Sequence, residues 1–264
     1  QFGKSHKASI IDIKEQGYFF ETEEIITQHE NKCLLNIAQF EDYNLVEFIN
    51  QVYKCDNAKC TNDCILYLNT KKVENFNQFN SSSQSLIINI ESINNMLSIN
   101  PFLLTMRQKL KISGLLVGSF SPLEEDYKKL RDKMPRFLYT IISPIHFIFF
   151  RLFPKLPIIS ILYDFITQGR GRFLSKAEIF GRLSYCGFEL LDVKMINHQL
   201  FFIARKNKPI ESEQSPSYGP LVKLKRIGLN RDYIYIYKFR TMHPYSEFIQ
   251  KEVFEQNSLD NSGK

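Results

Sequence analysis

Four cations lie close together near the carboxyl end of the chain, Lys225, Arg226, Lys238 and Arg240. They flank the polar turn Leu229-Asn230-Arg231-Asp232 between two strand-like runs, a pattern that predicts a hairpin. Clustered ammonium and guanidinium groups grip phosphate oxygens, arginine through a planar bidentate fork. The four are therefore candidate phosphate-binding residues that a hairpin could bring together. Gly219 and Gly228 read as turn glycines, and His146 and His243 as isolated packing or surface residues.

A second group is sulfur-rich. Cys55, Cys60 and Cys64 occur in CDNAKCTNDC, with His29 and Cys33 upstream. Structural zinc sites use four ligands and commonly begin with a Cys-x-x-Cys knuckle, which this spacing does not provide. Free thiols on a connection between elements are the plainer reading, and no metal ligand is assigned.

The elements that must position these groups come next. A chain of 264 residues, 44% hydrophobic and 23% charged, can bury a substantial core, which excludes a disordered tail, a collagen-like repeat and a disulfide-stapled miniprotein. Five cysteines without a paired framework fit a reducing compartment. There is no Trp, so aromatic burial rests on 23 Phe and 13 Tyr. Charge is uneven. Residues 1–127 carry 11 Lys+Arg against 16 Asp+Glu, residues 128–182 carry 11 against 3, and residues 219–240 carry 6 against 1. Basic blocks of this kind meet nucleic acid, anionic lipid or phosphorylated substrates. The start at Gln1 and the absence of a leader are read as the mark of a fragment.

Periodicity predicts strands at 32–38, 85–90, 115–120, 188–193 and 199–204. It predicts helices at 44–53, 101–110 and 175–186, the last with a capping box of Ser175 and Glu178. Ser113-Gly114 reads as a helix stop and Pro209–Pro216 as a linker. Strand and helix in repetition give an α/β class with a largely parallel sheet.

The segments SLIINIESINNM, LKISGLLVGSF and LSKAEIFGRLSYCGFELLDVKMINHQLFFIARK resemble the methyltransferase-like, Rossmann-like fold, with its closing helix, Gly187-Phe188 turn and final antiparallel strand pair. That family binds S-adenosylmethionine (SAM) beside glycines after its first strand. No glycine occurs between Gly17 and Gly114, so the sequence argues against bound SAM and for a degenerate fold.

Residues 137–153, FLYTIISPIHFIFFRLF, form an apolar run shorter than a spanning helix and interrupted by Ser143-Pro144. Lys128, Lys129, Arg131, Lys133 and Arg136 precede it, and Arg151 and Lys155 lie at its end. Apolar segments edged by cations predict a re-entrant or interfacial element over 128–166 on an anionic membrane surface; a helical hairpin covering the α/β domain is the other reading.

The order GPLVKLKRIG…YIYKFRTM, within residues 219–242, resembles the opening of the bacterial sugar transferase family, the monotopic polyprenyl-phosphate phosphoglycosyl transferases, in a subgroup with an N-terminal methyltransferase-like region. The resemblance implies transfer of a sugar 1-phosphate from a nucleotide (UDP) sugar to polyprenyl phosphate, initiating cell-surface polysaccharide synthesis. It also implies Mg²⁺, a cytoplasmic-face location at the bacterial inner membrane, and no nucleic-acid partner. The family's Asp-Glu dyad is missing; Ser258-Leu259-Asp260 is followed by Asn261, so no catalytic residue is assigned and the chain is expected to be inactive alone. Pro244 is expected to open a helix bearing Tyr245, Ile249 and Val253 on one face.

The resulting division is a methyltransferase-like α/β domain at 1–207 with an inserted apolar helical element, a linker at 208–218, and the first hairpin and helix of a phosphoglycosyl transferase domain at 219–264. The alternatives are a SAM-dependent methyltransferase of a glycan or lipid intermediate, and a non-catalytic membrane scaffold.

Overall fold

In a computed structural model, the described residues are 28–30, 43–56, 64–76, 78–156, 158–210 and 218–250. Their central sheet has six strands in the order β1-β2-β3-β4-β6-β5. These are β1 (Gln28–Glu30), β2 (Cys64–Leu68), β3 (Gln84–Ser92), β4 (Leu110–Phe120), β5 (Phe188–Ile196) and β6 (Gln199–Lys206). β2, β3 and β4 are mutually parallel. β6 runs antiparallel to both β4 and β5, so β5 points the same way as β4 and four of the six strands share one direction. A mostly parallel central sheet closed by an antiparallel pair is a mixed α/β fold, and it resembles the Rossmann-like arrangement expected from the sequence.

Both faces of the sheet are covered because its central strands are apolar on both sides. On one face Leu66, Ile87, Leu116 and Phe202 pack with Phe102, Leu103 and Met106 of α2 (Ile99–Lys109) and Ile179 and Leu183 of α6 (Lys176–Tyr185). On the other, Leu86, Ile88, Leu115 and Val117 pack with Leu45, Phe48 and Ile49 of α1 (Tyr43–Asp56). The alternation of Leu86, Ile87 and Ile88 between the two cores is the period-two geometry of a strand.

The predicted helices at 44–53, 101–110 and 175–186 are α1, α2 and α6, and the four predicted strands from 85 onward are β3 to β6. Three details differ. β2 is an added strand, in a stretch read as a cysteine-bearing connection. The expected strand at 32–38 lies outside the described residues. α2 ends at Lys109, and Ser113 and Gly114 fall inside β4, where Ser113 takes a φ of +60° beside a break in the β3–β4 register.

Between β4 and α6 the chain forms α3 (Leu123–Asp132), α4 (Arg136–Phe147), a π turn at Ile148–Leu152, a 3-10 turn at Phe153–Lys155, and α5 (Ile159–Thr167). Beyond β6, β7 (Leu221–Ile227) and β8 (Tyr233–Phe239) make a separate two-stranded hairpin. Among the described residues Pro244 does not open the expected helix: Tyr245 has a φ of +65°, a 3-10 turn spans Ser246–Phe248, and the first helical residue is Gln250. Val253 lies outside the described residues.

Candidate functional site

Ligands of open α/β sheets bind outside the carboxyl ends of the strands, where helices diverge and backbone groups are left to bond. Here that edge is formed by residues following β2, β3 and β4. Asn89 of β3 reaches across to the turn after β2. Its Oδ1 accepts from Thr70 N at 3.0 Å and its Nδ2 donates to Thr70 O at 3.1 Å. The Thr70 hydroxyl in turn accepts from Lys72 N and Asn75 Nδ2. Asn94, just past β3, ties three segments: Nδ2 donates to Ser121 O and Arg172 O, and Oδ1 accepts from Ser121 N. The Ser121 hydroxyl donates to Asp126, whose carboxyl is pushed above its ordinary value by burial. Glu91 accepts from Asn95 at 2.9 Å and remains partly exposed. The edge therefore carries a fixed polar turn, two carboxylates and several amides, a donor set suited to a nucleoside with hydroxyls.

A second polar centre lies on the far side of α6. Ser175 caps that helix by accepting from Glu178 N at 3.3 Å. The reciprocal half of the predicted capping box is not made, because the Glu178 carboxylate points inward to cations. Its Oε2 is 3.3 Å from Arg151 and 3.2 Å from Lys155, and its Oε1 is 3.2 Å from Arg182. Burial alone would raise the Glu178 carboxyl, but Lys155, Arg182 and Arg151 outweigh it and hold it below the ordinary range. Each cation shares that one carboxylate, so burial wins at Lys155 and pushes its ammonium down to about 8. The Arg182 guanidinium also lies 4.8 Å from the Tyr218 ring and 4.3 Å from the Tyr245 ring. Burial raises the Tyr218 hydroxyl to about 12. A cavity of about 430 Å³ adjoins this centre, lined by Lys155, Leu156, Ser160, Tyr218 and Gly219 among others. Sequence reasoning treated Arg151 and Lys155 as flanking charges and His243 as isolated; instead Arg151 donates to Phe173 O at 2.7 Å and sits 3.2 Å from His243 Nδ1.

The four predicted phosphate-binding residues do not converge. In the ladder Lys225 pairs with Tyr235, Arg226 with Ile234 and Val222 with Lys238. Neighbouring residues of a strand point to opposite faces, so Lys225 lies on one face and Arg226 and Lys238 on the other. Arg226 and Val222, opposite Lys238, are four residues apart, roughly 13 Å along the strand. Lys225 Nζ rests 3.6 Å from the centre of the Tyr233 ring, and Arg240 Nε donates to Gly219 O at 3.0 Å. Of the thiol group, Cys33 and Cys60 lie outside the described residues, and no cluster of three or more His, Cys, Asp or Glu able to hold a metal occurs among those described.

No family model matches the sequence, and no curated protein matches it. Solved structures do, over about half of the chain. A SAM-dependent methyltransferase from Methanosarcina mazei is 15% identical with a TM-score of 0.33, covering 50% of this chain and 63% of that one. A putative methyltransferase from Haloferax volcanii, solved with its Trm112 activator, is 10% identical with a TM-score of 0.32, covering 49% and 57%. A 16S rRNA (adenine(1408)-N(1))-methyltransferase from Catenulisporales acidiphilia is 15% identical with a TM-score of 0.26, covering 50% and 53%. The chain thus spans between half and two thirds of these proteins' length.

These findings correct the sugar-transferase identification. No family model and no curated relative supports it, and none of the three solved structures named above is a sugar transferase. With it go phosphoglycosyl transfer, the Mg²⁺ requirement, and the nucleotide-sugar and polyprenyl-phosphate partners. The exclusion of nucleic acid, which rested on the same resemblance, goes with it. The argument against SAM is corrected as well, since it asked for glycine at a turn that other residues can make. Its physical weakness is visible at the turn after β2: none of residues 69–72 has a positive φ, so that turn does not require glycine.

Proposed function

We propose that the chain is a SAM-dependent methyltransferase whose cofactor lies along the carboxyl edge of β2, β3 and β4. The observation that carries this reading is the Asn89–Thr70 clamp, which fixes a polar turn at the end of β2 against the strand that carries Glu91. When bound, SAM supplies an electrophilic methyl group on a sulfonium. The residues supply its setting. The partly exposed Glu91 carboxylate is an acceptor for ribose hydroxyls. Asn89 and Asn94 spend their own bonds on fixing the turns, so the edge is rigid before a ligand arrives. Asp126, in the first turn of α3 beyond β4 and raised by burial, is the group we assign to accept a proton from an attacking substrate group.

Titration calorimetry with SAM and with S-adenosylhomocysteine tests the reading. A saturable one-to-one isotherm is expected, weakened roughly tenfold in Glu91→Ala by loss of a charge-assisted hydrogen bond. Asp126→Asn is expected to keep the affinity. Absence of binding to either compound by the folded chain defeats the proposal.

A further inference from the structure

The helices α4 and α5 are built inside out. On α4 and the turn after it, Phe137, Leu138, Ile141, Ile145 and Ile148 are exposed. On α5 and the residue that caps its start the exposed set is Ile158, Ile161, Leu162, Phe165 and Ile166. The latter recurs at i, i+3, i+4, i+7 and i+8, a continuous helical stripe that in a soluble helix faces a core. The inner side is already occupied: Phe149 and Phe150 pack on Tyr163, and His146 and Phe150 on Phe173. The outward stripes are therefore additional apolar surface, of a kind that marks an interaction site.

Charge identifies the partner. Exposed cations Lys128, Arg131, Lys133 and Arg136 edge the apolar surface on the side of α3, and Arg170 stands beyond α5. Of the acidic residues of this region, Glu125 faces His198, Asp126 faces Ser121 and Asp164 faces Arg172, while Asp132 lies 3.7 Å from Arg131 and Glu124 is exposed, which leaves Lys128, Lys133 and Arg136 to carry the positive edge. Cations edging an exposed apolar surface complement anionic lipid headgroups over hydrocarbon.

Depth follows from the buried centre. The helical stretch Arg136–Lys155 has 20 residues, and an 18-residue window within it has a mean hydropathy of 1.4 with only 11% of it buried. Yet Arg151 and Lys155 are held to Glu178 inside the α/β body. The part free to enter lipid, from Arg136 to Arg151, is about 22 Å long at the usual helical rise, short of the ~30 Å hydrocarbon layer. We infer that α4 and α5 form an interfacial anchor that lies in the headgroup region of an anionic bilayer, with the α/β body outside it. This holds whatever reaction the carboxyl edge supports.

The experiment is vesicle co-sedimentation of the whole chain, with phosphatidylcholine alone and with phosphatidylcholine mixed with an equal part of phosphatidylglycerol. Binding to the anionic vesicles is expected, diminished by salt. Lys133→Ala and Arg136→Ala should each weaken it roughly fivefold. Ile145→Glu with Ile161→Glu, both at exposed positions, should abolish it while circular dichroism stays unchanged. Because the chain has no Trp, Phe137→Trp reports depth directly: its emission should shift to the blue on anionic vesicles and be quenched by lipids brominated near the headgroup. A chain left in the supernatant with both vesicles overturns the inference. So does binding indifferent to the paired Glu substitutions. A dimer in sedimentation equilibrium that those substitutions dissolve, without vesicle binding by the wild type, assigns the surface to a second copy instead.

Discussion

Lys155 Nζ lies 3.2 Å from Glu178 Oε2, the two side chains 9% and 0% exposed. This contact joins the end of the apolar helical stretch to a helix that packs on the sheet. Arg151 makes a parallel tie to the same carboxylate at 3.3 Å, and Arg182 a third. One buried carboxylate thus anchors α6, the π turn and the 3-10 turn, and through the Tyr218 and Tyr245 rings stacked on Arg182 it reaches the residues that flank the β7–β8 hairpin.

Removing that carboxylate strands several buried cations at once. Glu178→Gln is expected to cost about 3–5 kcal/mol, the range for breaking a buried ion pair by deleting one partner. Urea unfolding followed by circular dichroism measures it. Limited proteolysis should show new cleavage between α4 and α6 under native conditions, since that connection loses its tie.

The same centre sets a pH dependence. The folded Lys155 ammonium titrates at about 8, below its ordinary value of 10.5, so the unfolded chain binds more protons between those limits. Its contribution to stability therefore rises as pH increases from about 8 to 10.5. Glu178 is lowered, so its contribution is present above the ordinary carboxylate range and is lost as pH falls through the lower folded value. Comparing unfolding free energies of the wild type and Lys155→Met across alkaline pH isolates the first effect: the variant should lack this alkaline gain.

Gly181 faces the backbone of Tyr245. A Cβ built there would stand 2.1 Å from Tyr245 O. Gly181→Ala is expected to push the 218–250 segment away from α6, at about 1–3 kcal/mol, the usual cost of overpacking. Loss of the Asn100 Nδ2–Tyr245 hydroxyl bond and of the Ser184–Phe248 O bond should accompany it, read as faster amide exchange at 246–249.

The Asn89 amide makes both of its bonds to one residue, Thr70. Asn89→Ala leaves a buried backbone amide and carbonyl without these partners, for an expected loss of about 2 kcal/mol by thermal or urea unfolding. The SAM affinity measured by calorimetry should fall in the same variant, because the turn it fixes borders the proposed cofactor.

Cys186 is fully buried at the carboxyl end of α6, and burial pushes its thiol up to about 12. It should resist iodoacetamide in the native chain at pH 8 and react only as the protein opens. Mass-spectrometric labelling of the peptide carrying Cys186 across a urea series should coincide with the circular-dichroism transition.

Much of the fold was legible because its signals are local. The apolar run at 85–90, the 3.6-residue pattern of 44–53 and the Ser175 cap each lie within one element, and each formed where expected. β2 was missed because CILYL, five residues beside two other cysteines, reads equally as a thiol-bearing connection; pairing with β3 decides it. The candidate site was much less legible. Asn89 and Thr70 are 19 residues apart, and Asn94 and Arg172 are 78 apart. Nothing in the spacing of such residues marks them as partners, since amides carry no periodic signal.

The amino-acid sequence by itself determined the alternation of strands and helices, the apolar stretch edged by cations, and the hairpin near residue 230, because propensity and hydrophobic period act over a few neighbouring residues. Only the tertiary structure decided which charges meet. It turned Glu178 from a helix cap into the counter-ion of Arg151 and Lys155, 27 and 23 residues away, and the strand register set Lys225 and Arg226 on opposite faces. Electrostatic energy depends on distance through space and on exclusion of water, and both are products of the fold rather than of position along the chain.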